Sequence, residues 1–390
     1  MSADQRPASL YVHVPFCARR CAYCDFAVQA TAAAPTEDWL RTVTGEMGLL
    51  ADEHGWESPL RLDTVYVGGG TPSMLAPEAM GEFRERLSRW AVWDDSAEWT
   101  CEANPESFTP EVAAAWRQAG VKRLSLGAQT FHPATLRWMG RLHGPEGPSR
   151  AMGIARQAGF EDVSVDLIFG VPARLGRDWS ADLYHALSLE PQHVSLYGLT
   201  AEAGAPLGRW VAEGREALAD EDRYADEFLM ANRTLSSAGF VHYEVSNFGL
   251  PGRFSRHNRV YWQGEPYAAL GPGAHAFLPP QRRWNVRGWS EYRDAVDAGR
   301  LPLDGQETID TATAALEAAW LGLRTVEGVS LAETGVEPRR LAAEWVDRGL
   351  AVLTGTQLRL TAEGWLLLDR LAVDLAAAQE ESHKPASPLT

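Results

Sequence analysis

Six short runs of apolar and β-branched residues recur through the first half of the chain, at Leu10 to Val14, Thr64 to Val67, Trp99 to Cys101, Arg123 to Leu126, Val163 to Ile168 and His193 to Tyr197. Between them lie segments of helical periodicity, Glu37 to Leu50, Pro77 to Trp90, Pro110 to Gln118, Glu146 to Gln157 and Trp179 to Leu187. A strand, a returning helix and a further strand form a parallel βαβ unit, so their repetition leaves a parallel sheet as the architecture. Several runs contain almost no polar residue, as strands covered on both faces require. The predicted class is α/β, either an open doubly wound sheet or a barrel. Both bind ligands beyond the carboxyl ends of their strands, so chemistry is expected in the segments that follow each run.

The chain has 390 residues, and at roughly 150 residues per domain it can hold two or three cores. The predicted division is the βα repeat over 1–205, a linker module over 206–305, a small domain over 306–376 and a flexible tail over 377–390. A hydrophobic fraction of 45% and a charged fraction of 23% exclude a disordered or collagen-like chain. Asp plus Glu number 52 against 36 Lys plus Arg, a net charge of −16, which argues against nucleic acid as a partner. No apolar stretch approaches the roughly 20 residues of a membrane span. Met1 to Ser9 has no leader pattern, and a soluble cytoplasmic protein is expected.

Past Tyr197 the pattern changes. A helical stretch from Glu221 to Ser237 leads to Val241 to Ser246 and a Gly-, Pro- and Arg-rich segment around Leu250 to Arg256, where a new module is expected. From Thr308 a helical run to Gly322 precedes Pro338 to Arg348, apolar pairs around Gly355 and a final helix to about Leu375. Helices with a two-stranded hairpin make a winged-helix-like α+β domain. Acidic side chains outnumber basic ones between residues 306 and 371, so packing or docking is the expected role, not DNA binding.

Of four cysteines, three cluster in Cys17-Ala-Arg-Arg-Cys21-Ala-Tyr-Cys24, directly after the first predicted strand. Such close neighbours are poor disulfide partners for a large fold and would leave one over, so a reducing compartment and a metal fit better. Three thiolates without a fourth leave an open coordination position, which suits either zinc or an iron-sulfur cluster with one free iron. Arg19 and Arg20 either offset cluster charge or stay solvated; Cys101, inside an apolar run, is read as a buried hydrophobe in preference to a fourth ligand.

Cys-xxx-Cys-x-Tyr-Cys at this place resembles the radical S-adenosylmethionine superfamily. The resemblance implies a partial (β/α)6 barrel and a 4Fe-4S cluster held by Cys17, Cys21 and Cys24. It also implies that the amino and carboxylate groups of an exchangeable S-adenosylmethionine chelate the fourth iron, and that an electron from the cluster cleaves a carbon-sulfur bond to give a 5′-deoxyadenosyl radical.

The strand ends fill in the cofactor site. Gly68-Gly69-Gly70-Thr71-Pro72 follows the second run; its glycines allow close backbone approach, whether as a ligand contact or as a tight turn. The Lys-Ser/Thr ending of a phosphate loop is missing. By the resemblance Gly69, Gly70 and Thr71 meet the methionine amino end. Glu102, at the third strand's end, either pairs with the cofactor's ammonium group or forms a strand-end salt bridge. Gly127-Ala-Gln129-Thr-Phe131, with Leu136 and Gly140-Arg141-Leu-His143, resembles a porphyrin-handling group of the superfamily. There Gln129 and Asp166 would contact the nucleoside and Arg141 a carboxylate of this or a second cofactor. The alternatives are an Arg141–Asp166 ion pair and a helix cap by Gln129. Tyr11 and Tyr23 would border the cofactor or simply pack in the core.

Arg256-His257-Asn258-Arg-Val-Tyr261-Trp262, followed by Gly271-Pro-Gly273-Ala-His275, puts an imidazole among aromatics. Histidine can ligate haem iron and Tyr or Trp can cover the macrocycle, although a histidine near Trp is also an ordinary packing residue. His-Asn-x-x-Tyr-Trp resembles the signature of HemW-type haem chaperones, and that likeness extends from Tyr11 through the C-terminal helices. It implies haem contacts at His257, Asn258, Tyr261 and Trp262, and passage of haem to an acceptor such as a membrane respiratory enzyme. It further implies a reductant such as flavodoxin or ferredoxin, and a homodimer as one expected assembly. Oxygen-independent coproporphyrinogen III dehydrogenases share much of the pattern. They have a longer N-terminal extension and usually a cysteine two residues past the third, where this chain has Phe26. A third reading is an iron-sulfur binding or sensing protein without turnover.

Overall fold

The computed structural model describes residues 6–332 and 334–383. All six expected runs are strands: β1 (Ser9–Val14), β2 (Thr64–Gly69), β3 (Glu98–Ala103), β4 (Arg123–Gln129), β5 (Asp162–Phe169) and β6 (His193–Gly198). Each is parallel to the next. The crossovers carry α1 (Thr36–His54), α2 (Ala79–Leu87), α3 (Pro110–Ala119), α4 (Pro133–Met139), α5 (Gly147–Gln157) and α6 (Trp179–Ser188). Local chemistry sets where several begin. Thr109 and Asp178 accept from Val112 N and Ala181 N at the starts of α3 and α6, and Pro110 and Pro133 occupy first-turn positions that need no donor. Buried Leu124, Leu126, Val163, Val165 and Val194 form the strand interior, and Trp39, Phe83 and Trp116 bring the helices onto the sheet.

The segment 206–305 is not a separate linker module. Val241–Glu244 (β7) and Asn247–Gly249 (β8) continue the sheet beyond β6, and Ala268–Leu270 (β9) lies parallel to β1 at the opposite edge. The resulting nine-stranded order is β7-β8-β6-β5-β4-β3-β2-β1-β9. The physical reason is edge protection: a six-stranded open sheet leaves two rows of unpaired backbone groups, and this segment covers both. Its Gly- and Pro-rich part turns the chain between the two edges. A second sheet, His275–Leu278 (β10), Gln281–Asn285 (β11) and Leu303–Thr308 (β12), follows β9.

The C-terminal unit is the α+β arrangement expected. Helices Thr311–Gly322, Val336–Asp347 and Leu368–His383 accompany the strands Val329–Ser330 (β13), Ala351–Thr354 (β14) and Gln357–Leu360 (β15). The β14–β15 hairpin turns at Gly355, whose φ of 62° suits glycine. The last helix runs to His383, so residues 377–383, expected as flexible tail, are helical; the rest of that expectation, 384–390, lies outside the described residues. Among the described residues no helix is long and apolar enough to cross a membrane.

One buried carboxyl ties these layers together. Glu46 of α1 accepts from Gly271 N (2.8 Å), Tyr292 Oη (2.6 Å) and Asn285 Nδ2 (2.5 Å), joining α1 to the turn after β9, to β11 and to the helix Trp289–Asp297. Burial lifts its pKa to about 7 against the pull of those three bonds. Glu46→Ala strands three buried donors, and a loss of about 3 kcal/mol in unfolding free energy is expected by denaturant titration.

Candidate functional site

The cysteine loop leaves the end of β1 and is pinched at its base by backbone bonds from Gln29 N to Pro15 O (2.6 Å) and from Thr31 N to Cys17 O (2.9 Å). Its far side is pinned to the end of α4, where Ala22 N donates to Met139 O at 3.0 Å. The three thiols are free and partly exposed, whereas Cys101 is fully buried with Sγ 3.7 Å from Met80 Sδ. Cys101 is therefore packing, not a ligand. Burial pushes the Cys17 thiol up to about 11, opposed by Thr71 Oγ1–H, which donates to its sulfur at 3.3 Å. Arg141 approaches Cys21 Sγ at 3.9 Å. Arg20 donates instead to the carbonyls of Cys24 and Gly204, bracing the loop.

Cys17, Cys21 and Cys24 open on a cavity of about 950 Å³ at the carboxyl ends of the parallel strands. The same cavity is lined by Tyr11, Tyr23, Gly69, Gly70 and Glu102, and by Gln129, Arg141 and Asp166. Thr71 stands behind this wall, 2% exposed, supporting Cys17. The expected cofactor contacts are thus gathered on one surface.

Each polar group is held from behind. Glu102 accepts from Tyr66 Oη (2.8 Å) and Gly69 N (3.0 Å), and burial, with the nearby Asp166 charge, raises its pKa to about 7. Asp166 accepts from Ser125 Oγ at 2.9 Å and Ser164 Oγ at 3.3 Å. Arg141 does not pair with it. Its guanidinium donates to Asn104 Oδ1 (2.6 Å) and Gly127 O (2.7 Å), and burial of the chain around it leaves the cation facing the cysteine loop. Gln129 caps no helix, since His132 holds that position before α4. It sits at φ 66°, a left-handed backbone that costs a non-glycine residue of order 1 kcal/mol, and a register shift in the β4–β5 pairing accompanies it.

The donor set fits a 4Fe-4S cluster with S-adenosylmethionine. A Cβ on Gly70 would meet Val14 O and Phe16 O at 2.7 Å and Cys17 Sγ at 3.1 Å, so glycine keeps the ground beside that sulfur clear. Gly69, at φ 108°, passes so close to the His13 ring that a Cβ would lie 2.3 Å from it. Among the described residues no three His, Cys, Asp or Glu groups converge on one ion site. A cluster takes each thiolate on a different iron and so accepts a wider set than zinc does.

The four expected haem contacts separate. Tyr261 and Trp262 line the cavity; His257 and Asn258 do not. His257 is 0% exposed, with Nδ1 2.7 Å from Thr64 Oγ1 and Nε2 2.8 Å from Tyr261 Oη. Thr64 donates to Ser9 Oγ at 2.9 Å, so His257 Nδ1–H must donate to Thr64 and Nε2 accept from Tyr261. Burial lowers its pKa to about 3, which keeps the ring neutral. Both nitrogens are engaged within the chain, so His257 stands behind Tyr261 and not on the cavity wall.

Several cavity residues escaped sequence reasoning. His13, Ser125, Ile168 and Tyr197 line it two residues along their strands from Tyr11, Gly127, Asp166 and the buried Ser195. Side chains two apart share a sheet face, so that period was the available signal. Tyr267, just before the edge strand β9, and Arg287, just after β11, are on the wall too, with His275 at the start of β10.

Comparison with known proteins agrees with this geometry. Residues 11–179 match the model of the radical SAM superfamily. A heme chaperone HemW of Mycobacterium tuberculosis is 37% identical over 367 residues, covering 93% of each chain. That of Bacillus subtilis is 32% identical over 83% of this chain and 84% of its own. The mitochondrial radical S-adenosyl methionine domain-containing protein 1 of Mus musculus is 32% identical, over 100% of this chain and 92% of its own. Among solved structures, coproporphyrinogen III oxidase (HemN) from Escherichia coli superposes with a TM-score of 0.80 at 20% identity, covering 95% of this chain and 90% of that one. This last likeness is one of fold.

Proposed function

We propose, from the premise that the chain belongs to the HemW family of the radical SAM superfamily, that it is a haem chaperone: it binds haem as cargo beside a 4Fe-4S cluster and S-adenosylmethionine, and passes it to an acceptor protein. The observation that carries the reading is the single cavity. Three free thiols, a carboxyl pair, a cation and an aromatic wall share about 950 Å³, the upper end of the range for small-molecule sites.

When bound, the cluster supplies an electron and an open iron for the methionine end of S-adenosylmethionine. The chain's residues hold and orient. Glu102 would accept from the amino group, Arg141 would meet a carboxylate and Asp166 and Gln129 the nucleoside, while Gly69 and Gly70 would let the backbone close on the ligand. Tyr261, Trp262 and Tyr267 form an apolar wall on which a macrocycle would lie. Delivery to a respiratory acceptor, a flavodoxin- or ferredoxin-type reductant and a homodimer belong to this proposal.

The test is an anaerobic haem titration of the cluster-reconstituted chain followed by absorbance, with coproporphyrinogen conversion assayed on the same samples. Stoichiometric binding with a Soret shift and no conversion is the expected result. Conversion to protoporphyrinogen with weak haem binding would replace the chaperone by a dehydrogenase. Neither binding nor conversion, with a cluster present, would leave an iron-sulfur binding protein.

A further inference from the structure

Resting on the reading of Cys17, Cys21 and Cys24 as cluster ligands and of Arg141 as a carboxylate anchor, we infer that Asn104 is a positioning residue that links the two. Three hydrogen bonds make the link. Arg141 Nη2 donates to Asn104 Oδ1 at 2.6 Å, Asn104 Nδ2 donates to Thr71 Oγ1 at 2.9 Å, and Thr71 Oγ1–H donates to Cys17 Sγ at 3.3 Å. Each donor is fixed by its neighbour. A guanidinium has no acceptor, so Asn104 must turn its oxygen to Arg141 and its NH2 to Thr71. Thr71 Oγ1 accepts that bond and gives its single proton to the sulfur. The chain is therefore polarised one way, from the cation to Cys17.

Every joint of this chain is braced. Asn104 follows β3 directly; its N donates to Ser73 Oγ at 3.2 Å, and its carbonyl accepts from Ser107 N and Phe108 N, both at 3.1 Å, so the amide projects from a fixed base. Arg141 Nη2 also donates to Gly127 O at 2.7 Å, and Nε donates to His143 Nε2 at 3.2 Å. That leaves Nη1 turned toward Cys21 Sγ, 3.9 Å away. Gly127 keeps the meeting point clear, because a Cβ there would lie 3.1 Å from Asn104 Oδ1 and 3.4 Å from Arg141 Nη2. Thr71 is buried, so solvent does not compete for its hydroxyl.

The consequence is electronic as well as positional. A hydrogen bond to a ligand sulfur stabilises the more negative, reduced state of an iron-sulfur cluster and so raises its potential. Thr71 supplies that bond, and Asn104 strengthens it by donating to the same oxygen. A carboxylate held at Arg141 draws the guanidinium charge toward itself and weakens the chain at its source. Occupancy of the anchor and the potential of the cluster are thereby linked in both directions. Asn104 also holds the guanidinium in place, so its loss reaches carboxylate binding through Arg141.

The experiment poises full-length, cluster-reconstituted protein anaerobically at graded potentials without S-adenosylmethionine and reads the reduced cluster by electron paramagnetic resonance. S-adenosylmethionine affinity is measured on the same preparations by calorimetry, with circular dichroism as a folding control. Thr71→Val, which keeps the shape and removes the hydroxyl, is expected to shift the midpoint to more negative potential, and Thr71→Ser to restore it. Asn104→Leu is expected to shift it in the same direction and to lose at least tenfold in affinity. The double variant is expected to shift no further than Thr71→Val, since both changes cut one path. Asn104→Asp serves where Asn104→Leu does not fold: it still accepts from Arg141 but takes the Thr71 proton from the sulfur, so its shift is expected to be larger with Thr71 present than in the Thr71→Val background. An unchanged midpoint in Thr71→Val, or shifts that simply add, overturns the link alone. Unchanged affinity in Arg141→Gln overturns the carboxylate reading, and a wild type without a cluster signal overturns the cluster reading, each taking the link with it.

Discussion

Serine in place of Cys17, Cys21 or Cys24, one at a time, will take the anaerobically reconstituted chain from about four irons to nearly none. The thiolate-to-iron absorbance will fall with it. Each sulfur leaves the cavity wall toward the same open space, and none has a fourth cysteine near enough to replace it, since Cys101 is enclosed beside Met80. A hydroxyl of ordinary pKa is a harder and far weaker ligand than a thiolate, so substitution removes an iron's anchor instead of softening it. Cys101→Ala is the control and should retain the full cluster. A cluster of normal iron content in any of the three serine variants would mean that the loop does not hold it, and loss in Cys101→Ala would mean that packing at β3 governs assembly.

What could be read from sequence follows how locally each feature is encoded. The six parallel strands each carry a run of three to six residues rich in apolar or β-branched side chains and are separated by segments long enough for a helix, and that alternation made both their existence and their direction legible. β9, Ala268–Leu270, lies outside that alternation, between Gly- and Pro-containing turns that mark no strand. Its pairing to β1 depends on Glu46, more than two hundred residues away, gripping the turn that follows. The cysteine loop was legible because its three thiols are sequence neighbours. The haem motif is just as local, but the sequence does not show how its side chains divide between cavity and interior. His257 and Tyr261 are four apart on the helix Arg256–Trp262 and so share a face, where one bonds the other. That spacing places Tyr261 between His257 and the cavity.

S-adenosylmethionine affinity should rise with pH through about pH 7, and Glu102 sets the direction. Burial favours its neutral acid, while the bonds from Tyr66 Oη and Gly69 N favour the carboxylate and only partly offset that effect. An amino group that donates N–H binds the carboxylate form. Below about pH 7 binding must first remove a proton, and affinity falls by up to tenfold per pH unit. The folding contribution has the matching sign. A carboxyl raised from 4.5 to about 7 holds its proton more tightly in the folded chain, so stability is lost as pH rises across that window. The cost, roughly 3 kcal/mol at one pKa unit per 1.36 kcal/mol, is what a bound cation can recover. Glu102→Gln keeps an acceptor for Gly69 N and a partner for Tyr66, so the fold should survive while affinity at neutral pH drops about 10- to 100-fold. Its profile should be flat where that of wild type slopes. Calorimetric titration of both proteins from about pH 5.5 to 7.5 reads slope and drop together. A slope that persists in Glu102→Gln would move the titrating role to Asp166, the other buried carboxyl on the wall, whose pKa is also raised by burial.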